Sequence, residues 1–253
     1  MKTFIGIIPA RYASTRFPGK PLAMLGDKPV IQRVYEQARK ELDDVVVATD
    51  DQRIYDAVEA FGGKAVMTSP DHRSGTDRIE EAYCNIKSGA DVVINIQGDE
   101  PFIKPSQIAA LKGCFDDERT EIATLVRPFG EDASYEAVSN PNTPKVVVDN
   151  DSYAMYFSRS VIPYLRNCPQ AEWPKRFPYL AHIGVYAYKA DVLAAVTKLP
   201  QSPLEIAESL EQLRWLQAGY KIKTALTQWQ TIGIDTPADL ERAFQYLKSQ
   251  ENA

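Results

Sequence analysis

Three cations share one short stretch of the sequence. Residues 7–22 read IIPARYASTRFPGKPL and set Arg11, Arg16 and Lys20 among the small residues Ala10, Ala13, Ser14 and Gly19. Small residues leave backbone N–H groups open, and with three cations beside them they suit a polyphosphate. An arginine forks two phosphate oxygens, whereas a lysine acts as a point charge. Pro18 and Pro21 stiffen the stretch, which a merely solvated basic loop does not need. The stretch is not a Walker loop, because Pro21 stands where a Mg2+-binding Ser or Thr belongs. No GxGxxG fingerprint occurs either, which disfavours a dinucleotide enzyme.

Two carboxylates are the natural complement. Asp99 follows an apolar run in NIQGDEP, and Gly98 beside it lets a ligand approach the backbone. Asp235 ends another apolar stretch in GIDTP. Together they suit one Mg2+ shared with phosphate oxygens. The plain alternative for Asp235 is membership of a helix cap, with Thr236 as N-cap and Pro237 at N1. A third segment, DHRSGTDR at 71–78, offers donors and acceptors to a base or ribose from Ser74, Gly75 and Thr76, or simply caps a helix.

These residues need strands and helices to place them. Apolar runs at 4–9, 44–49, 64–67, 91–97 and 121–127 read as strands, and 29–41, 51–61, 75–87 and 105–115 as helices. The alternation implies βαβ units and a mostly parallel sheet covered on both faces. Ligands then bind beyond the carboxyl ends of the strands, where 11–20 and Asp99 lie. Segments 144–149 and 153–158 flank Asn150-Asp151 as a hairpin. The Pro- and aromatic-rich stretch 162–180 suits a lid, a dimer contact or a packed loop. A strand at 182–188, a helix at 203–217, a strand at 221–227 and a helix at 236–247 complete the chain. The expectation is a Rossmann-like α/β fold of one domain over 1–253, with 144–190 as a hairpin insertion.

Composition narrows the class. With 253 residues, 44% apolar and 25% charged, the chain can bury a core without staples. A net charge of −5 argues against a nucleic-acid face. The N-terminal run is interrupted by Pro9 and Arg11, and no stretch reaches membrane-span length. Three scattered cysteines imply reduced thiols and a cytoplasmic address. Two histidines give a zinc site little to work with.

Eight motifs in order resemble the 3-deoxy-D-manno-octulosonate (Kdo) cytidylyltransferase family over nearly the whole chain. They are IIPARYASTRFPGKPL, ATD at 48–50, SGTDR at 74–78, NIQGDEP at 95–101, YFSRSVIP at 156–163, HIGVYAY at 182–188, SPLEIAESLEQLRWL at 202–216 and IDTPADLERA at 234–243. The resemblance implies a nucleotide-diphospho-sugar transferase fold, a homodimer, and transfer of CMP from CTP to Kdo for lipopolysaccharide biosynthesis. It implies that Arg11 and Lys20 hold the CTP phosphates with Ala10 and Arg16 nearby. Ser74, Gly75, Arg78 and Gln97 would surround the cytidine, and Asp99 and Asp235 would hold Mg2+. Arg159, His182, Tyr186, Glu211 and Gln212 would line the sugar-acid pocket, and 144–190 would serve dimerisation and sugar binding. Taken singly, each of these five also has a plain structural reading; Glu211, for instance, can pair Arg214 at i+3. The chain departs from the family mainly at 164–180. Alternatives are the same chemistry on 8-amino-Kdo or sialate, or a non-catalytic nucleotide-binding regulator, against which Asp99 with Asp235 argues.

Overall fold

The computed structural model describes residues 2–130, 132–230 and 232–251. The chain divides into two compact units, Met1–Ile108 with Thr231–Ala253, and Ala109–Gln230.

The first unit opens on β1 (Phe4–Ala10), followed by a two-stranded ribbon, β2 (Met24–Leu25) and β3 (Lys28–Pro29). Then come α1 (Val30–Arg39), β4 (Val45–Thr49), α2 (Gln52–Ala60), β5 (Ala65–Met67), α3 (Gly75–Ile86) and β6 (Val92–Asn95). Strand β1 pairs with β4 and β6, and β4 with β5, all parallel, giving the order β6-β1-β4-β5. Every residue of β4 and β6 is buried, the mark of strands covered on both faces. Helix α1 buries Val30, Ile31, Val34, Tyr35 and Ala38, one apolar stripe at helical spacing. Because the strands are parallel, the loops after β1, β4, β5 and β6 all leave from one edge of the sheet.

Helix α4 (Pro105–Gly113) leads into the second unit. There follow β7 (Ile122–Pro128), α5 (Tyr135–Ser139), β8 (Lys145–Val148), β9 (Ala154–Ser158), α6 (Trp173–Arg176), β10 (Leu180–Lys189), α7 (Ala190–Val196), α8 (Pro203–Glu208), α9 (Gln212–Gln217) and β11 (Ile222–Leu226). The last helix, α10 (Pro237–Glu251), returns to the first unit. Strand β11 runs parallel to β7, whereas β7–β10, β10–β8 and β8–β9 are antiparallel. The hairpin expected around Asn150-Asp151 is β8–β9. Residues 144–190 lie within the second unit, Ala109–Gln230.

Three local expectations change. The helix read over 203–217 is two helices, because Ser209 adopts φ 51 and its N–H turns back to the carbonyl of Glu205. A capping box between Ser202 and Glu205 starts α8. The Glu205 carboxylate also receives Arg214 Nη2 at 2.5 Å and Nε at 2.8 Å, which braces α8 to α9 across the break. The stretch 162–180 packs on a core of its own. Trp173 and Tyr179 are buried with Val138, the Trp173 indole donates to Cys168 O at 2.9 Å, and the Tyr179 hydroxyl donates to Pro163 O at 2.9 Å. Helices α5, α6 and α7 are not marked by the sequence pattern. Cys84, Cys114 and Cys168 are thiols outside any disulfide. No helix among the described residues is long and apolar enough to cross a membrane.

Candidate active site

The loop after β1 folds around one carbonyl. Tyr12 O accepts from Ser14 N at 3.0 Å and from Gly19 N at 2.9 Å, closing residues 12–19 into a ring. Gly19 sits at φ 74 beside the Tyr12 ring, and a Cβ there would lie 3.0 Å from ring carbons, so both conformation and space call for glycine. The Arg53 guanidinium lies 3.4 Å from the Tyr12 ring centroid and is itself held by Asp51, the N-cap of α2. Thus α2 reaches back to fasten the loop that carries the cations.

The next residue, Lys20, carries the centre of the site. Its ammonium donates to Asp99 Oδ2 at 2.5 Å and to Asp235 Oδ1 at 3.1 Å. Arg16 Nη2 reaches the same Asp235 oxygen at 3.0 Å. The segments bearing the two acids are tied directly, Ile234 N donating to Asp99 O at 2.9 Å. Gly98 packs so closely on Pro9 that a Cβ would meet the Pro9 carbonyl oxygen at 2.6 Å. The helix cap near Asp235 is made by others: Thr236 Oγ1 accepts from Asp239 N, and Asp239 Oδ2 accepts from Asp235 N and Thr236 N. The Asp235 side chain is left to face the cations.

These residues line a cavity of about 290 Å3 together with Ala10, Arg11, His72, Arg73, Ser74, Gly75, Arg78 and Gln97. No ion pair to Arg11 occurs among the described residues. Gly75 opens α3, and Ser74 caps it by accepting from Asp77 N at 3.1 Å. Arg78 is buried and committed to protein, donating to Asp50 Oδ2 at 2.8 Å and Thr68 Oγ1 at 2.6 Å. It joins the ends of β4 and β5 to α3, which gives the ATD motif a structural task. His72 and Arg73 were missed as site residues although they stand in the quoted segment 71–78. The His72 imidazole is bonded to the Glu81 carboxylate, which also accepts from Ser69 N.

The second unit holds the other group. Strand β10 shifts register against β7 between Ile183 and Tyr186. Four strand residues span about 13 Å, yet across this bulge the His182 and Tyr186 rings lie 5.5 Å apart. Burial pushes the His182 pKa down to about 3, so the ring is neutral near pH 7. Burial, with the charge of Glu211 adding to it, holds the Tyr186 phenol well above its ordinary range. Gln212 is buried, and its amide nitrogen has no hydrogen-bond partner among the described residues. Glu211 stands at the start of α9, 3.9 Å from Arg214. Arg159 is placed differently from a free carboxylate receptor: its guanidinium donates to Glu208 O at 2.6 Å, Pro141 O at 2.8 Å and Ser209 O at 3.2 Å.

The family model described as cytidylyltransferase matches residues 5–222. The 3-deoxy-manno-octulosonate cytidylyltransferase of Phocaeicola vulgatus is 63% identical over 248 residues, covering 98% of each chain. That of Escherichia coli is 47% identical, covering 100% of both. This chain belongs to the 3-deoxy-manno-octulosonate cytidylyltransferase family. A solved structure of CMP:2-keto-3-deoxy-manno-octonic acid synthetase complexed with CTP matches with a TM-score of 0.89 at 46% identity, covering 98% of this chain and 99% of that one. The fold is thereby that of the nucleotide-diphospho-sugar transferases. A 4-diphosphocytidyl-2C-methyl-D-erythritol synthase from Anaerococcus prevotii, 14% identical over 97% of this chain and 99% of its own, shares the fold at a TM-score of 0.62.

For a member of the 3-deoxy-manno-octulosonate cytidylyltransferase family, the acid pair passes a simple test as a divalent-cation site. Two carboxylates already converge on one cation, the ammonium of Lys20. Among the described residues no cluster of three or more His, Cys, Asp or Glu could hold a metal. Two carboxylates facing one cation are a donor set that fits a divalent ion whose other positions go to phosphate oxygens and water.

Proposed function

We infer that this chain transfers CMP from CTP to Kdo, releasing pyrophosphate and giving CMP-Kdo for lipopolysaccharide biosynthesis. The observation that carries the reading is the Asp99–Lys20–Asp235 cluster at the floor of a cavity lined by Arg11, Arg16 and the start of α3. The family assignment supplies the nucleotide and the sugar.

In this reading the anomeric 2-hydroxyl oxygen of Kdo forms a bond to the α-phosphorus. The bond from that phosphorus to the bridging oxygen of pyrophosphate breaks, and the hydroxyl proton is released. Such transfers rest on positioning and charge neutralisation. Lys20, Arg11 and Arg16 stabilise the charge that builds on the leaving pyrophosphate. Ser74, Gly75 and Gln97 border the nucleoside, and Arg78 holds that border in place from below. Asp99 and Asp235 would hold Mg2+, which when bound polarises phosphoryl oxygens and lowers the pKa of a bound hydroxyl.

His182, Tyr186, Glu211 and Gln212 serve the sugar. A neutral imidazole, a protonated phenol, a carboxylate and an unpartnered amide N–H make a set suited to hydroxyls and a carboxylate. Arg159 shapes this group through the carbonyls it holds, and pairs the sugar carboxylate only by exchanging one of them. The chain acts as a cytoplasmic homodimer, without nucleic acid or membrane. The exposed apolar side chains Met155, Leu204 and Ile206 of the second unit support a partner surface, and sedimentation would read the mass.

The deciding experiment is pyrophosphate release with CTP, UTP, ATP and GTP crossed against Kdo, 8-amino-Kdo and sialate. Release is expected with CTP and Kdo. No release with any pair would support a non-catalytic nucleotide-binding regulator instead, and preference for 8-amino-Kdo would reassign the sugar.

A further inference from the structure

Thr124 lies in β7 with its side chain fully buried. Its hydroxyl sits inside the β10 bulge, 3.0 Å from His182 Nε2, 3.1 Å from Ile183 O and 2.9 Å from Val185 O. A hydroxyl has one hydrogen to donate and lone pairs to accept with. The two carbonyls can only accept. The hydrogen of Thr124 therefore goes to a carbonyl, because turning it toward the imidazole would leave two carbonyl oxygens facing hydroxyl lone pairs in a buried site. His182 Nε2 must then carry the proton and donate it to Thr124. In a neutral ring this leaves Nδ1 without hydrogen. Phe157 packs edge-on against the ring at 4.9 Å and Tyr186 lies at 5.5 Å, so the ring plane is confined as well.

We propose that Thr124 is a positioning residue of the sugar site: its hydroxyl locks His182 as the Nε2–H tautomer and so presents Nδ1 as an acceptor for a sugar hydroxyl. The inference rests on His182 as a sugar contact and adds what that contact can recognise. An acceptor nitrogen takes a hydroxyl hydrogen and repels a carboxylate, so His182 faces the hydroxyls of the sugar acid. Valine in place of Thr124 has nearly the same shape but cannot accept the Nε2 proton.

The test compares wild type, Thr124→Val and Thr124→Ser. Nitrogen-15 NMR of the histidine ring at pH 7.5 should show His182 protonated on Nε2 in the wild-type protein without substrate. Thr124→Val should lose this single tautomer. It should raise KM for Kdo about 5- to 10-fold, the worth of one buried hydrogen bond, with KM for CTP and kcat within about twofold. Thr124→Ser, which keeps the hydroxyl, should restore both readouts. An Nδ1–H tautomer in wild type overturns the proposal, even if Thr124→Val fails to fold. So does a folded Thr124→Val protein with unchanged KM for Kdo. If wild type makes no pyrophosphate with Kdo, the functional reading fails while the tautomer is still read by NMR.

Discussion

Asp99 and Asp235 meet on a single ammonium, with Lys20 Nζ 2.5 Å from one and 3.1 Å from the other. The backbone bond from Ile234 N to Asp99 O holds the two segments together beneath them. Asp99→Asn should therefore leave the circular dichroism and melting temperature close to wild type while lowering kcat/KM by about 100-fold or more. Asp235→Asn should do the same. Chelation of divalent ions should abolish pyrophosphate release and added Mg2+ should restore it. A folded Asp99→Asn enzyme with near-wild-type turnover would remove Asp99 from the metal site.

Gly98→Ala tests the close approach behind Asp99. The new methyl would meet the backbone oxygen of Pro9 at 2.6 Å, which cannot swing aside as a side chain could. A loss of about 1–3 kcal/mol in urea unfolding is expected. Turnover should fall by about tenfold or more, because Asp99 moves with the strand end.

The fastening of the phosphate loop predicts a binding defect. Arg53→Ala removes the guanidinium from the Tyr12 ring, and Arg53 is largely exposed, so the effect should be modest. KM for CTP should rise about 2- to 5-fold with little change in kcat. Tyr12→Phe should match wild type, and Tyr12→Ala should exceed Arg53→Ala.

His182 makes the second unit sensitive to acid. Its pKa falls from 6.5 in the unfolded chain to about 3 when folded, because burial disfavours the charged ring. Below pH 6.5 the unfolded chain binds a proton that the folded one refuses. The contribution is full above pH 6.5 and is lost as pH falls toward 3, at a slope of at most about 1.4 kcal/mol per pH unit. His182→Gln should flatten that part of the stability profile, measured by urea unfolding between pH 7 and pH 4.

Glu205→Ala should destabilise by about 1–3 kcal/mol, since Arg214 loses two short bonds and keeps Leu199 O and the more distant Glu211. It should also raise KM for Kdo, because α9 carries Glu211 and Gln212.

The first unit could be read from sequence because its signals are local. Short apolar runs mark β1, β4 and β6, and parallel strands force their following loops to one edge, so Arg11, Lys20 and Asp99 are placed by the sequence pattern alone. Asp235 was ambiguous because spacing cannot show which of several polar groups makes a cap; Thr236 and Asp239 make it. In the second unit the decisive features are tertiary. Nothing in the run 202–216 marks Ser209 as left-handed, since neither Gly nor Pro stands at or beside it. Thr124 looks like any β-branched residue in a buried strand, and only the register shift in β10 gives its hydroxyl a task. Arg159 was assigned through the family resemblance, but its three carbonyl partners come from two separate segments that only folding assembles.

The return of the C-terminal segment to the first unit has a consequence for how the protein comes into being. Lys20 and Asp99 emerge early from the ribosome, whereas Asp235 and α10 emerge only after the whole of the second unit. A nascent chain can fold its first four parallel strands and still possess only half of its acid pair. The acid pair is therefore made whole only after the second unit has been synthesised, when the segment at Asp235 rejoins the unit that holds Lys20 and Asp99.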